Sequence, residues 1–229
     1  MILNIETSSK KCSVALCEDG AIWFNLDSQE EMDHSLKLAP FVDRCMEELR
    51  ARERHLDAVA VSMGPGSYTG LRIGLSLAKG LCFGMNLPLI GVSTLELLAV
   101  KGMFGVREFD ERRLFVPMID ARRMEVYTAV YDIALKTVLP PTPLILDENS
   151  YSEFKDLPLV FIGDAVAKAK EVVEGLKDAR WIEAVPNACD MIALSEKALR
   201  NGEFIDPAYS TPFYLKNFQA TTPKKNIIC

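Results

Sequence analysis

Two stretches of the 229-residue chain carry the same pattern, 114 positions apart from Glu6 to Asp120. Residues 2–18 and residues 116–132 each open with an apolar strand that ends in one of these acids. A polar turn and a returning strand of alternating residues follow in both stretches, and helices and strands then alternate. Such a repeat predicts two lobes with one α/β architecture. A chance match between two short hairpins is the alternative.

A meander followed by alternating helices and strands, present twice, fits the duplicated ribonuclease-H-like lobes of the actin-like ATPase (ASKHA) superfamily. In that superfamily the acid after the first strand of each lobe lies near nucleotide phosphates and metal. Glu6 and Asp120 hold these places here, but no glycine follows them closely to admit a phosphate. Arg122 has a guanidinium that can clamp phosphate, although pairing with Glu125 or a surface position explains it equally. With the lone Gly163, these residues predict at most a vestigial nucleotide site.

The lobe boundaries follow from the place where the pattern restarts. A polar segment of mixed charge with two glycines separates the two halves, which is typical of a linker. We predict an N-terminal lobe over 1–102, a linker over 103–112, a C-terminal lobe over 113–210 and a tail over 211–229.

The sharpest motif is the glycine-rich segment Gly64–Gly74, which follows a predicted strand and opens a predicted helix. Its spacing fits neither the Walker A nor the Rossmann phosphate-binding motif. A Walker A loop has a lysine directly after its second glycine, which this segment lacks, and the Rossmann motif needs its third glycine where this chain has Thr69. A packing role explains the motif better. Gly70, Gly74 and Ala78 recur every four positions, and such a stripe lets a helix approach its neighbour closely.

The predicted helix Leu71–Met85 is apolar on nearly every side, and only Arg72, Ser76 and Lys79 form a narrow polar stripe. A helix that is apolar all round needs cover all round. Its own sheet covers one side, and we expect a partner chain to cover the other; complete burial within one chain is the alternative. The predicted contact residues on this helix and the preceding one are Leu38, Val42, Gly70, Leu71, Gly74, Leu75 and Ala78.

Several chemistries are poorly supported by the sequence. The two histidines, His34 and His55, form no zinc-binding pair, and we predict neither a metal site nor a catalytic residue. The net charge of −6 argues against binding nucleic acid without a partner. Six scattered cysteines, no signal peptide and no membrane-spanning run predict a soluble, reduced, cytoplasmic protein.

Taken together, the motifs resemble one known family. The segments Ile2–Ser8, Gly64–Gly74, Gly91–Leu95 and Asp120–Arg122 are similar to those of the bacterial TsaB family, formerly called YeaZ or glycoprotease-like. The resemblance covers nearly the whole chain, and the glycine-rich motif is its most specific part.

The resemblance implies an actin-like fold and a non-catalytic subunit that dimerises with itself and pairs with its paralogue TsaD. With TsaE, that complex transfers a threonylcarbamoyl group to adenosine 37 of tRNAs that read codons beginning with A. ATP and metal are expected on TsaD, tRNA only through the complex, and the subunit contact on the first two helices of the N-terminal lobe. The alternatives are an independent ATPase or kinase using Glu6 and Asp120, and a metalloprotease, which only the older name suggests.

Overall fold

The computed structural model describes residues 1–28, 30 and 33–216. Of the predicted tail over 211–229, residues 217–229 lie outside the described part. The first half of the chain contains β1 (Ile2–Glu6), β2 (Ser13–Glu18), β3 (Ala21–Asp27), α1 (His34–Ala51), β4 (Ala58–Gly64), α2 (Tyr68–Met85), β5 (Leu89–Ser93) and α3 (Thr94–Gly105). The second half contains β6 (Leu114–Asp120), β7 (Glu125–Tyr131), β8 (Thr137–Ile145), β9 (Pro158–Gly163), α4 (Val166–Val172), β10 (Asp178–Glu183) and α5 (Ile192–Asn201). Short 3-10 helices occur at Ser152–Phe154 and Ala188–Met191.

The two halves form two five-stranded sheets with the same topology. The strand orders are β3-β2-β1-β4-β5 and β8-β7-β6-β9-β10, so each strand of the first sheet has a counterpart in the second. In each sheet the first three strands form an antiparallel meander, and the last two run parallel to the first. This confirms the duplicated actin-like architecture that the repeat predicted.

The first sheet packs on both faces. Leu3 and Ile5 of β1 pack with the buried faces of α1 and α2. Ile2 points the other way and packs with residues of the segment around α5. Because side chains alternate along a strand, Asn4 and Glu6 share the face of Ile2. Both faces of β1 are therefore buried in the interior.

The lobes share helices across the predicted linker. α3 extends to Gly105, three residues into the segment predicted as linker, and its Leu98 packs against Phe115 and Ile162 of the second sheet. In return, Met191 and Ala198, within the predicted C-terminal lobe, pack on the first sheet. Each sheet needs cover on its second face, so a boundary at residue 102 divides the sequence without dividing the core. No helix in the described part of the chain is long and apolar enough to cross a membrane.

Candidate functional site

The acid at the end of β1 is sealed inside the protein. Glu6 has no exposed surface, and one of its carboxylate oxygens accepts a hydrogen bond from the Ser8 amide. The other oxygen, Oε2, has no partner among the described residues. Burial raises the pKa of Glu6 to about 7, although hydrogen bonds from Ser8 and Ser62 pull it down, and the Asp190 carboxylate raises it further. The Glu6 carboxylate is therefore closed to solvent in the folded chain.

The glycine-rich segment closes over the turn that follows Glu6. The Ser67 amide donates to the Ser8 carbonyl oxygen at 2.6 Å. A Cβ added at Gly66 would overlap that same oxygen, and one added at Gly70 or Gly74 would overlap Thr7. These glycines therefore allow α2 and the loop before it to press against the β1–β2 hairpin. This confirms the packing role, and the same contact covers the turn after Glu6.

The acid of the second hairpin is accessible but already paired. Asp120 is about half exposed, and its carboxylate accepts hydrogen bonds from the Lys168 ammonium at 2.5 Å and the Arg122 amide at 2.8 Å. Partial burial raises the pKa of Asp120, but these bonds and the charges of Lys168 and Lys10 outweigh that effect, so the pKa lies below its ordinary value. The chain's own lysine thus neutralises this carboxylate.

The other two residues of the predicted vestigial site have structural explanations. Gly163 has a φ of +145°, and a Cβ there would overlap the Met118 carbonyl oxygen, so the residue permits close approach of β9 to β6. Arg122 has a φ of +71° in the turn after β6, and its guanidinium has no partner within the described residues. The structure brings Arg122 and Asp120 together, since the Arg122 amide donates to the Asp120 carboxylate. The Asp164 carboxylate accepts a hydrogen bond from the Asp120 amide at 2.8 Å. Glu6 shares no hydrogen bond or ion pair with any of them in the described part of the chain.

The seven residues predicted to contact a partner face inward instead. All are buried within the chain itself: the apolar side chains belong to the first sheet's core or its helix cover, and the two glycines abut Thr7. The periodicity identified the buried stripes of α1 and α2, and a buried stripe and a contact stripe have the same composition. The correction applies to Leu38, Val42, Gly70, Leu71, Gly74, Leu75 and Ala78.

We call the exposed and half-buried apolar side chains of α1 and α2 together the outer helical face. Phe83 is 90% exposed, Leu36 is 71% exposed, and half-buried Ile73, Leu77 and Leu81 lie at the margin of the core. A Cβ added at Gly80 or Gly84 would meet nothing within 4 Å, so the backbone of α2 is open to close approach there. Contact of this surface with a second chain stays a prediction.

Sequence reasoning missed a cluster where the C-terminal segment meets α2. The Arg72 guanidinium lies 4.1 Å from the centre of the Tyr68 ring, and its Nε donates to the Tyr214 hydroxyl at 3.0 Å. Farther along, the Lys216 ammonium pairs with Glu125 of the second lobe. Sequence reasoning could not find this cluster, because no periodicity joins residues 142 positions apart.

The buried thiols and the metal-binding residue types provide no reactive centre in the described part of the chain. Cys12, Cys17, Cys45, Cys82 and Cys189 are free thiols, and burial raises the pKa of each one. Among the described residues, no three His, Cys, Asp or Glu side chains are grouped so that they could hold a metal ion.

Comparison with known proteins identifies the family. Residues 28–221 match the family model described as TsaD: tRNA N6-adenosine threonylcarbamoyltransferase. The tRNA threonylcarbamoyladenosine biosynthesis protein TsaB of Bacillus subtilis is 34% identical over 177 residues, which are 76% of this chain and 75% of that protein. The protein of the same name from Haemophilus influenzae is 34% identical over 232 residues, 94% of this chain and 93% of its own length. This chain belongs to the TsaB family.

A solved structure supports the assignment of this TsaB-family chain. The crystal structure of a Pseudomonas aeruginosa protein, described as uncharacterised with similarity to the peptidase YeaZ, superimposes with a TM-score of 0.78 at 25% identity. The match covers 94% of this chain and 99% of the other. The resemblance seen in the motifs is thereby confirmed over nearly the whole length.

Proposed function

We propose that this TsaB-family chain is a non-catalytic subunit that binds TsaD and, together with TsaE, supports threonylcarbamoyl transfer to adenosine 37 of tRNAs reading codons that begin with A. The observation that carries the proposal is the outer helical face. ATP and metal belong to TsaD, tRNA is met only through the complex, and the isolated chain forms a homodimer. The threonylcarbamoyl transfer takes place in the cytoplasm.

The outer helical face suits a protein partner for two reasons. Burying one phenylalanine side chain such as Phe83 contributes about 1.5–3 kcal/mol, which the isolated chain forgoes by leaving the ring exposed. Gly80 and Gly84 leave the α2 backbone uncovered, and small residues spaced by four let a second helix pack closely. A self-complementary use of this face gives a homodimer, and a paralogue with a similar face gives a heterodimer.

The two hairpins support the proposal that this chain is non-catalytic. A nucleotide enzyme of this architecture would use the acids that end β1 and β6. Glu6 is sealed under the glycine-rich loop, and Asp120 is neutralised by Lys168. The alternative of an independent ATPase or kinase is therefore disfavoured, and ATP turnover by the pure chain that disappears in Glu6→Ala would revive it.

The test is capture of the host's TsaD by this chain, followed by a threonylcarbamoylation assay with both proteins, TsaE and ATP. We expect tRNA modification only when both subunits are present. Phe83→Glu places a charge in the contact and is expected to weaken capture by about tenfold or more, because an unpaired charge is costly to bury.

Phe109→Glu is the matched control, since Phe109 is 75% exposed but lies outside α1 and α2. It should capture TsaD as the unaltered chain does. Equal capture by Phe83→Glu and Phe109→Glu would place the contact elsewhere, and full modification by TsaD alone would refute the proposal.

A further inference from the structure

A groove of about 310 Å³ runs between α2 and the segment that follows α5. Leu75 and Pro212 supply the apolar part of its lining. Its polar lining comes from two cations and four hydroxyl-bearing residues, with no carboxylate among them: Arg72, Ser76, Lys79, Ser210, Thr211 and Tyr214. In a chain with a net charge of −6, a groove lined only by cations and neutral groups is distinctive.

Arg72 is fixed in place before any ligand arrives. Its guanidinium lies over the Tyr68 ring at 4.1 Å, with the Tyr214 ring centre 5.9 Å away, and the two rings are 4.9 Å apart. The Nε donates to the Tyr214 hydroxyl, which leaves the terminal nitrogens without a partner in the described part of the chain. An arginine held by stacking loses little rotamer freedom on binding, and its planar fork can donate two parallel hydrogen bonds to one oxyanion.

The other polar groups of the groove are also donors. Lys79 makes one long contact, from its ammonium to the Ala208 carbonyl oxygen at 3.4 Å, and no ion pair with a described residue. The hydroxyls of Ser76 and Thr211 have no hydrogen-bond partner among the described residues. The Tyr214 hydroxyl accepts from Arg72, so its own proton remains available. The Ser210 hydroxyl already donates to the Asp206 carbonyl oxygen, so the remaining donors are the ones open to a ligand.

We propose that this Arg72 groove binds a phosphate ester of nucleotide size. A phosphate offers only hydrogen-bond acceptors. Its negative charge complements Arg72 and Lys79, since no carboxylate lines the groove. The volume is at the lower end of the roughly 300–1,000 Å³ of small-molecule sites, which suits one nucleotide. The Tyr214 ring supplies an aromatic surface of the kind on which bases stack.

Two sources present this chemistry, a free nucleotide and a nucleotide unit of an RNA strand, and the experiment separates them. Calorimetric titrations of the full chain use AMP, a short single-stranded oligoadenylate, and adenosine, which lacks the phosphate. Binding of AMP supports a free nucleotide as the ligand, and binding of the oligoadenylate alone supports an RNA strand. Adenosine is expected not to bind. Binding of adenosine as tight as that of AMP, or no binding of any of the three, overturns the proposal.

Variants locate the binding in the groove. Arg72→Gln is expected to weaken binding by about tenfold or more, as loss of a charge-assisted hydrogen bond does. Lys79→Gln should weaken it too, and its single long contact makes it safe for folding. Arg50→Gln and Lys170→Gln remove exposed cations from α1 and α4, and they should bind as the unaltered chain does.

Unchanged affinity in both Arg72→Gln and Lys79→Gln refutes the groove as the site. An equal loss in Arg50→Gln and Lys170→Gln also refutes it, because the effect would then come from overall charge. The titrations use this chain alone, so their failure leaves the proposed contact with TsaD untouched.

Discussion

The carbonyl oxygen of Thr7 occupies the space that a Cβ on Gly70 would need. One helical turn later, the Thr7 side chain fills the corresponding space at Gly74. A single threonine in the first hairpin thus determines two positions of α2 at which only glycine fits. This contact explains why the motif has glycine at both positions.

The contact predicts opposite effects for two glycines of one helix. Gly74→Ala forces an overlap with Thr7, and we expect it to lower the free energy of unfolding by about 1–3 kcal/mol or more. Gly80→Ala adds a Cβ in open space within the same helix and should raise stability by about 0.5–1 kcal/mol. Urea denaturation followed by circular dichroism measures both, and equal effects would contradict the assigned packing.

The buried carboxyl of Glu6 predicts a pH-dependent stability. Its pKa is raised from 4.5 to about 7 in the folded chain, so the folded state binds the proton more tightly than the unfolded state does. Stability is therefore highest below about pH 4.5 in this respect and falls as the pH rises to about 7. The shift corresponds to a loss on the order of 3 kcal/mol.

Glu6→Gln removes this titration while keeping the shape of the side chain. The difference in unfolding free energy between Glu6→Gln and the unaltered chain should grow in favour of the variant as the pH rises from about 4.5 to 7. Glu153→Gln, at an exposed position of the second lobe, is the control for the substitution itself. A flat profile for Glu6→Gln would show that the carboxyl is solvated.

The thiols are predicted to be inert while the chain is folded. Burial raises the pKa of Cys17 and Cys45 to about 12, so their thiolate fraction near neutral pH is negligible. In a Cys229→Ser background, reaction with an aromatic disulfide reagent should be slow in buffer and fast in denaturant. Fast labelling of the folded chain would mean that these interiors open readily.

The shared helices predict that both lobes unfold together. The chain has two tryptophans, Trp23 on β3 of the first sheet and Trp181 on β10 of the second. In Trp23→Phe and Trp181→Phe each remaining tryptophan reports on one lobe. Circular dichroism reports on the unfolding of the whole chain in each variant. We expect the fluorescence midpoint of each variant to coincide with its own circular dichroism midpoint.

Leu98→Ala tests the origin of this coupling, because Leu98 of α3 is buried against the second sheet while the neighbouring Leu97 packs on the first. Its expected cost is about 2–5 kcal/mol. Both tryptophan signals should shift by the same amount. A shift confined to Trp181 would show that the lobes are independent units.

The sequence predicted the regular parts of the fold well because their signals are local. β1 ends at Glu6 and β6 at Asp120, as predicted, since each is an apolar run closed by an acid and a polar turn. α4 is short and ends at Val172. α1 continues through Pro40, which lies in its second turn.

The site was harder to predict because apolar periodicity does not say what covers a helix. The stripe with Leu75 and Ala78 meets the chain's own sheet, whereas Phe83 on another side of the same helix is exposed. Likewise, the position of Glu6 after an apolar strand suggested a ligand site, and only the packing of Gly66 and Gly70 on the turn shows that it is sealed.

The exchange of helices between lobes also orders events during synthesis. Ile2 and Ile90 of the first sheet are covered in part by Met191 and Ala198, which are synthesised after β10. Until then, the first lobe presents an uncovered apolar sheet face, a state that favours aggregation. We therefore expect truncation before α5 to yield an insoluble product.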